Sequence, residues 1–190
     1  MRYVLASKSP RRRELLGKII NNFEIITAET DETLPDTVHP SEGVRILAER
    51  KGRAVYDTVE EECMVISSDT LVEIDGEPLG KPRDEEDAAR MLRRLSSRRH
   101  NVHTGVAIHY KGRVYSGTHT SGVYFRHIDE SEICEYIATG EPMDKAGSYG
   151  IQGEGGKFVE KYEGEFDSIM GLSVTLTRRL IDEALGGEND

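Results

Sequence analysis

Four short stretches of this chain carry residue types suited to chemistry. The first, Ser7-Lys8-Ser9-Pro10-Arg11-Arg12-Arg13, puts four cations within six residues where a strand end gives way to a helix start. A helix N-terminus offers unpaired N–H groups and a partial positive charge, so it favours an anion. Arginine adds a planar fork that matches phosphate oxygens. The alternative is an ordinary capped helix whose arginines pair with surface acids. The second stretch is Ser67-Ser68-Asp69-Thr70, directly after the apolar run Met64-Val65-Ile66. It places a carboxylate at the carboxyl end of a strand, where α/β sheets open their ligand crevice. Asp69 there can orient or deprotonate water, or ligate a hard cation such as Mg²⁺; otherwise it caps a turn. Glu32, in Glu29-Thr30-Asp31-Glu32-Thr33, is a second acid, to be read as a ligand or as a solvated loop residue.

The third stretch, Gly76-Glu77-Pro78-Leu79-Gly80-Lys81-Pro82, aims one ammonium group from a turn stiffened by glycine and proline. It is one residue short of a phosphate-binding P-loop and has proline where a hydroxyl would meet magnesium. The fourth is Gly140 to Gly156, dense in glycine and carrying Asp144, Lys145 and Gln152. Glycine lets backbone approach a ligand closely, and the Gln152 amide can pair bidentately with a base edge; a mobile surface loop is the competing reading. Other chemistries lack support. No GxGxxG follows the first strand, the six histidines form no HExxH or zinc spacing, and no serine sits in a GxSxG elbow.

The elements that must position these groups follow from local pattern. Tyr3 to Ala6 reads as a buried strand, and Ser9 as the N-cap of a helix with proline at its first position. Phe23 to Ile26 is a second strand, followed by a polar loop from Ala28 to Pro40. From Ser41, the residues Val44, Leu47, Ala48, Lys51 and Val55 recur at helical spacing over about four turns. Met64 to Ile66 is a strand, and Leu71 to Leu79 a hairpin turning at Asp75-Gly76. Asp84 caps a helix through Leu95. Val102 to Tyr110 and Val114 to Phe125 form a longer hairpin turning at Lys111-Gly112. A short helix over Ser131 to Ala138 stops at Gly140. One final helix carries Leu172, Leu176, Leu180 and Leu185. Alternating strands and helices followed by hairpins predict a mixed sheet, α/β shading into α+β, in one domain over residues 1–190.

Composition limits the partners. The 190 residues include 25 basic and 35 acidic side chains, a net charge of −10, which argues against a nucleic-acid or anionic-membrane binder. No run approaches the ~20 apolar residues of a membrane span, and the N-terminal stretch lacks the apolar core of a secretion signal. Cys63 and Cys134 are too distant for a CxxC pair, so both read as small core hydrophobes in a reducing compartment, the cytoplasm by default.

Taken in order, LASKSPRR (5–12), ELL (14–16), TDET (30–33), LAERK (47–51), SSDTLV (67–72), LGKP (79–82), HTGVAI (103–108) and GEPMDKAGSYGIQG (140–153) resemble the Maf family of nucleoside triphosphate pyrophosphatases. The resemblance implies an elongated, two-lobed fold like that of the inosine triphosphate pyrophosphatases, with a mixed twisted sheet, flanking helices and a central cleft. It implies cleavage of a nucleoside triphosphate between the α- and β-phosphates with a divalent metal, Mg²⁺ or Mn²⁺, in a house-cleaning role, and a homodimer. Asp69 matches the family's proposed base; Ser7, Arg11, Arg12, Lys51 and Lys81 match groups that hold phosphates, and Glu32 with Asp69 the metal. Arg11, Thr70 and Gln152 match the subgroup that prefers dTTP and UTP. A nucleotide-binding regulator of septum formation, acting through a protein partner, is the alternative. Two departures stand out. Gly52 replaces the usual alanine after the helix lysine, at a cost of about 1 kcal/mol in helix propensity. EGEFDSIMGLSV (163–174) replaces a usual segment with Gly-Ser, Asn and Gly-Leu-Pro and alters the last wall of the cleft.

Overall fold

The structure, a computed structural model, describes residues 1–35, 37–60 and 62–186. Its strands are β1 (Arg2–Leu5), β2 (Glu24–Ile25), β3 (Cys63–Ile74), β4 (Glu77–Leu79), β5 (Arg99–Tyr110), β6 (Arg113–Phe125) and β7 (Val159–Glu163). Its helices are α1 (Pro10–Gly17), α2 (Pro40–Tyr56), α3 (Glu85–Leu95), α4 (Glu130–Ala138), α5 (Phe166–Met170) and α6 (Val174–Gly186). The strands form one mixed sheet in the order β2-β1-β3-β5-β6-β7, with β4 added to β3. β1 runs parallel to β2 and β3, whereas β3–β4 and β6–β7 are antiparallel. The predicted mixed α/β class is therefore observed, and both hairpins turn where the sequence placed them. Asp75-Gly76 and Lys111-Gly112 all have positive φ, the conformation that matches a two-residue turn to strand twist.

The chain divides into two compact units. The first comprises Met1–Asp69, Thr104–His119 and Gly171–Asp190, the second Thr70–His103 and Thr120–Met170. In the first unit, α1 starts as its sequence dictates: Ser9 Oγ accepts the Arg12 N–H at 3.4 Å and Pro10 fills the first helical position. Helix α2 buries Val44, Leu47, Ala48, Gly52 and Val55. It lies so close to β5 that a Cβ on Gly105 would sit 2.2 Å from the Val44 carbonyl oxygen. In the second unit, α3 is capped by Asp84, whose carboxylate accepts the Asp87 N–H at 2.8 Å. Its apolar face packs in a cluster with Phe125, Tyr136, Tyr149 and Phe158.

Four expectations are corrected. β3 does not stop at Ile66 but continues to Ile74, so Asp69 lies within a strand. Ser67 and Ser68 look like a chain break yet are wholly buried. Their hydroxyls donate to carbonyls of Ala48 and of Gly105 and Gly171, which removes the penalty of burying them in strand conformation. What ends near Asp69 is the parallel ladder with β1, whose last pair is Leu5–Ile66. The final helix, α6, begins at Val174, so Leu172 lies outside it, and a short helix, α5, precedes it on the other side of Gly171 with φ 122°. Cys63 is buried, but Cys134 is exposed on α4. Finally, Gly52 is no propensity defect. A Cβ there would lie 2.5 Å from both His109 Nδ1 and Ser67 Oγ, so close packing demands glycine.

Candidate functional site

Within the first unit, three elements bring the predicted charges together. Lys51 falls at the edge of the buried stripe of α2, three residues after Ala48 and four after Leu47. Its ammonium reaches Asp69 Oδ1 on β3 at 2.5 Å and Glu32 Oε1 at 2.9 Å. Asp69 is 7% exposed, whereas the Glu32 side chain is mostly open to solvent. Arg12, on the first turn of α1, donates from Nε to the Gly171 carbonyl at 2.9 Å and from Nη1 to Ser7 Oγ at 3.4 Å. Ser7 Oγ also accepts the Ser9 N–H at 3.2 Å, which closes the turn before α1. Burial pushes the Arg12 guanidinium below the usual arginine range. Asp69 opposes that shift, Arg11 adds to it and Glu32 again opposes it. Ser7, Arg11, Arg12, Glu32, Lys51 and Asp69 thus belong to one electrostatic neighbourhood, and Arg12 keeps its charge throughout.

Such an arrangement suits phosphoryl chemistry: guanidinium and ammonium groups for phosphate oxygens beside a carboxylate that can take a proton. It also suits a small hard cation. The Lys51 ammonium already bridges Glu32 and Asp69, so a positive group fits between them. Among the described residues no set of three or more His, Cys, Asp or Glu forms a complete metal cage. Mg²⁺ needs none, because it is commonly held by one or two carboxylates with the remaining positions filled by substrate phosphates and water.

The second unit carries Thr70, Lys81 and Gln152. Thr70 follows Asp69 on β3 and is half-buried. Lys81 is exposed on the turn after β4. That turn is held by the Gly147 N–H, which donates to the Gly80 carbonyl at 3.1 Å. Gly147 has φ 69° and no room for a side chain, since a Cβ would meet Val72 at 2.8 Å. Gln152 is exposed on the glycine-rich segment. Far from being slack, that segment runs through three turns of 3₁₀ helix between α4 and β7.

Sequence reasoning missed several supporting residues. Arg50 Nη1 donates to the carbonyls of Asp31 at 3.3 Å and Thr33 at 2.7 Å, bracketing Glu32. The signal was its place beside Lys51. Gly171 supplies a carbonyl to both Arg12 and Ser68, which its positive φ makes possible and no motif announced. Glu141 and Tyr136 bind the glycine-rich segment through backbone N–H groups, contacts invisible in a linear pattern. Lys145, on the same segment, donates to the Glu141 carbonyl at 2.9 Å and to Asp144 at 2.7 Å.

A family model described as Maf-like protein matches residues 2–184. A dTTP/UTP pyrophosphatase of Bacillus velezensis is 48% identical over 182 residues, covering 96% of each chain. One from Thermococcus kodakarensis is 46% identical over 177 residues, covering 93% of this chain and 94% of its own. Among solved structures, the Ham1 protein of Staphylococcus aureus matches over all of both chains with a TM-score of 0.53 at 17% identity, a likeness of fold.

Proposed function

The chain belongs to the Maf-like family, and from that premise we propose that it is a nucleoside triphosphate pyrophosphatase acting on dTTP and UTP. The observation that carries this reading is the convergence of Lys51 on Asp69 and Glu32 beside Arg12. Relatives at 46–48% identity named dTTP/UTP pyrophosphatase support the substrate class.

In this reading Arg11, Arg12, Lys51 and Lys81 offset the charge of the triphosphate, and Ser7 with the N–H groups at the start of α1 completes the grip. Lys51 fixes the direction of the Asp69 carboxylate. Asp69 takes a proton from water as its oxygen bonds to the α-phosphorus, and the bond from that phosphorus to the α–β bridging oxygen breaks. The nucleoside monophosphate keeps the water oxygen, and pyrophosphate leaves with its charge met by the cations. A divalent ion held by Glu32 and Asp69, Mg²⁺ or Mn²⁺, would supply further neutralisation of phosphate charge when bound. Arg11, Thr70 and Gln152 serve selection of the nucleotide. The Gln152 amide, one acceptor beside two donors, complements the N–H and carbonyl edge of uracil or thymine.

A pure nucleotide-binding regulator would need no water-activating carboxylate, so Asp69 on Lys51 favours hydrolysis over that alternative. The same reading keeps the enzyme in the cytoplasm, where free Cys63 and Cys134 stay reduced, and makes it a homodimer. Among the described residues no helix is long and apolar enough to cross a membrane.

The test is a panel of nucleoside triphosphates with Mg²⁺ or Mn²⁺, assaying pyrophosphate and orthophosphate separately. Pyrophosphate from dTTP and UTP, lost on chelation and restored by metal, is the expected result. Orthophosphate as the first product would overturn the reading.

A further inference from the structure

The glycine-rich segment is organised around one carboxylate. Glu141 accepts the Tyr136 hydroxyl at 2.8 Å, the Glu154 N–H at 3.0 Å and the Gly155 N–H at 3.2 Å. Tyr136 is wholly buried, and its oxygen also accepts the Gly150 N–H at 3.3 Å. The backbone packs too tightly on this pair for side chains. A Cβ on Gly153 would lie 2.4 Å from the Glu141 carboxylate oxygens, and one on Gly155 would lie 2.5 Å from the Tyr136 hydroxyl. Gln152, exposed, is thus displayed on a turn tied down on both sides of it, at Gly150 and at Glu154-Gly155.

Base chemistry shows why such a tether matters. An amide that pairs with the N3–H and O4 of uracil or thymine would pair equally with the N1–H and O6 of guanine, because both edges present one donor beside one acceptor. Cytosine presents the reverse pattern. An amide turned by 180° would meet that pattern too, so hydrogen bonding at Gln152 separates thymine from cytosine only while the amide keeps one orientation, and it leaves guanine acceptable. Size must exclude the purine, and size excludes only if the turn cannot withdraw.

We propose that Glu141 is a positioning residue that, with Tyr136, holds the turn Gly150–Gly155 at a fixed height, so that Gln152 admits a pyrimidine and turns away a purine with the same hydrogen-bonding edge. This rests on the reading of Gln152 as the residue that meets the base. The structural contacts of Glu141 stand apart from it.

Glu141→Gln keeps the shape but leaves one acceptor oxygen where two served. Tyr136→Phe removes a single hydroxyl and is the milder companion. Amide hydrogen exchange in the nucleotide-free enzyme should show Glu154 and Gly155 losing protection in Glu141→Gln. Steady-state kinetics on dTTP, dCTP and dGTP should show the preference for dTTP over dGTP falling about tenfold, carried by KM more than by kcat, while dCTP stays rejected. Gln152→Ala should instead erase the distinction between dTTP and dCTP. An equal loss of kcat on all three nucleotides in Glu141→Gln, or unchanged exchange at Glu154 and Gly155, would overturn the positioning role. If exchange rises as expected but Gln152→Ala leaves all preferences intact, the base-reading role of Gln152 fails, and the selectivity assigned to Glu141 fails with it.

Discussion

The two units of this molecule place their functional side chains by different means. In the first, charge holds charge: Lys51 is fixed by Asp69 and Glu32, and Arg12 is anchored to the Gly171 carbonyl and Ser7. In the second, shape holds position. Gly147 and Gly153 sit where no Cβ fits, and one carboxylate gathers the backbone N–H groups around Gln152. Charged groups anchored to rigid elements suit a reaction in which charge moves between water, phosphorus and leaving group. A closely packed turn suits discrimination between bases of different size.

The contrast predicts that isosteric changes of charge matter most in the first unit. Asp69→Asn keeps the volume and a partner for Lys51 while removing the proton acceptor. Turnover should fall about 10²–10³-fold with an unchanged melting temperature. Near-native turnover from folded protein would remove Asp69 from the role of base. Arg50→Ala should cost less, about tenfold in kcat/KM, because the contacts of Arg50 are with the backbone on either side of Glu32 and so order that loop. A loss as large as that of Asp69→Asn would place Arg50 among the groups that touch the substrate.

Shape also matters locally in the first unit, and Gly52 measures how much. Helix propensity alone predicts that Gly52→Ala stabilises the protein by about 1 kcal/mol. The crowding by His109 and Ser67 predicts the opposite, a loss of about 1–3 kcal/mol in chemical denaturation. A gain would show that the His109 ring moves aside freely.

A smaller effect belongs to the second unit. Burial, with Arg99 adding to it, pushes His100 down to about 3, whereas an unfolded chain would carry that histidine near ~6.5. Below about pH 6.5 the unfolded chain binds a proton that the native state refuses, so stability falls as pH drops, with a limiting slope of about 1.4 kcal/mol per pH unit. His109, also lowered by burial, adds a share in the same direction. Between pH 6.5 and 4.5, His100→Phe should flatten this slope even though Tyr149 loses its hydrogen bond to His100. An unchanged slope would exclude His100 as its source.

Much of the fold was legible because its signals are local. The Ser9-Pro10 start of α1, the Asp84 cap and both hairpin turns each act within a few residues. Lys51 was legible as a cation placed in an apolar helical stripe. β3 was misjudged because Ser67 and Ser68 look like a break until carbonyls from Ala48, Gly105 and Gly171, 19 to 103 residues distant in sequence, satisfy their hydroxyls. The short helix α5 was missed because its five residues, Phe166–Met170, are too few to show a helical period before Gly171 turns the backbone to φ 122°. The tether on Gln152 was missed because Glu141 meets main-chain N–H groups 13 and 14 residues ahead. Motif patterns record side chains, and that contact is half backbone.

If water activated at Asp69 attacks the α-phosphorus, hydrolysis of dTTP in ¹⁸O-labelled water places the label on that phosphorus. Mass spectrometry of the products should find one labelled oxygen in the nucleoside monophosphate and none in pyrophosphate. Label in the pyrophosphate would place the attack on the β-phosphorus and rule out α-phosphorus attack by water at Asp69.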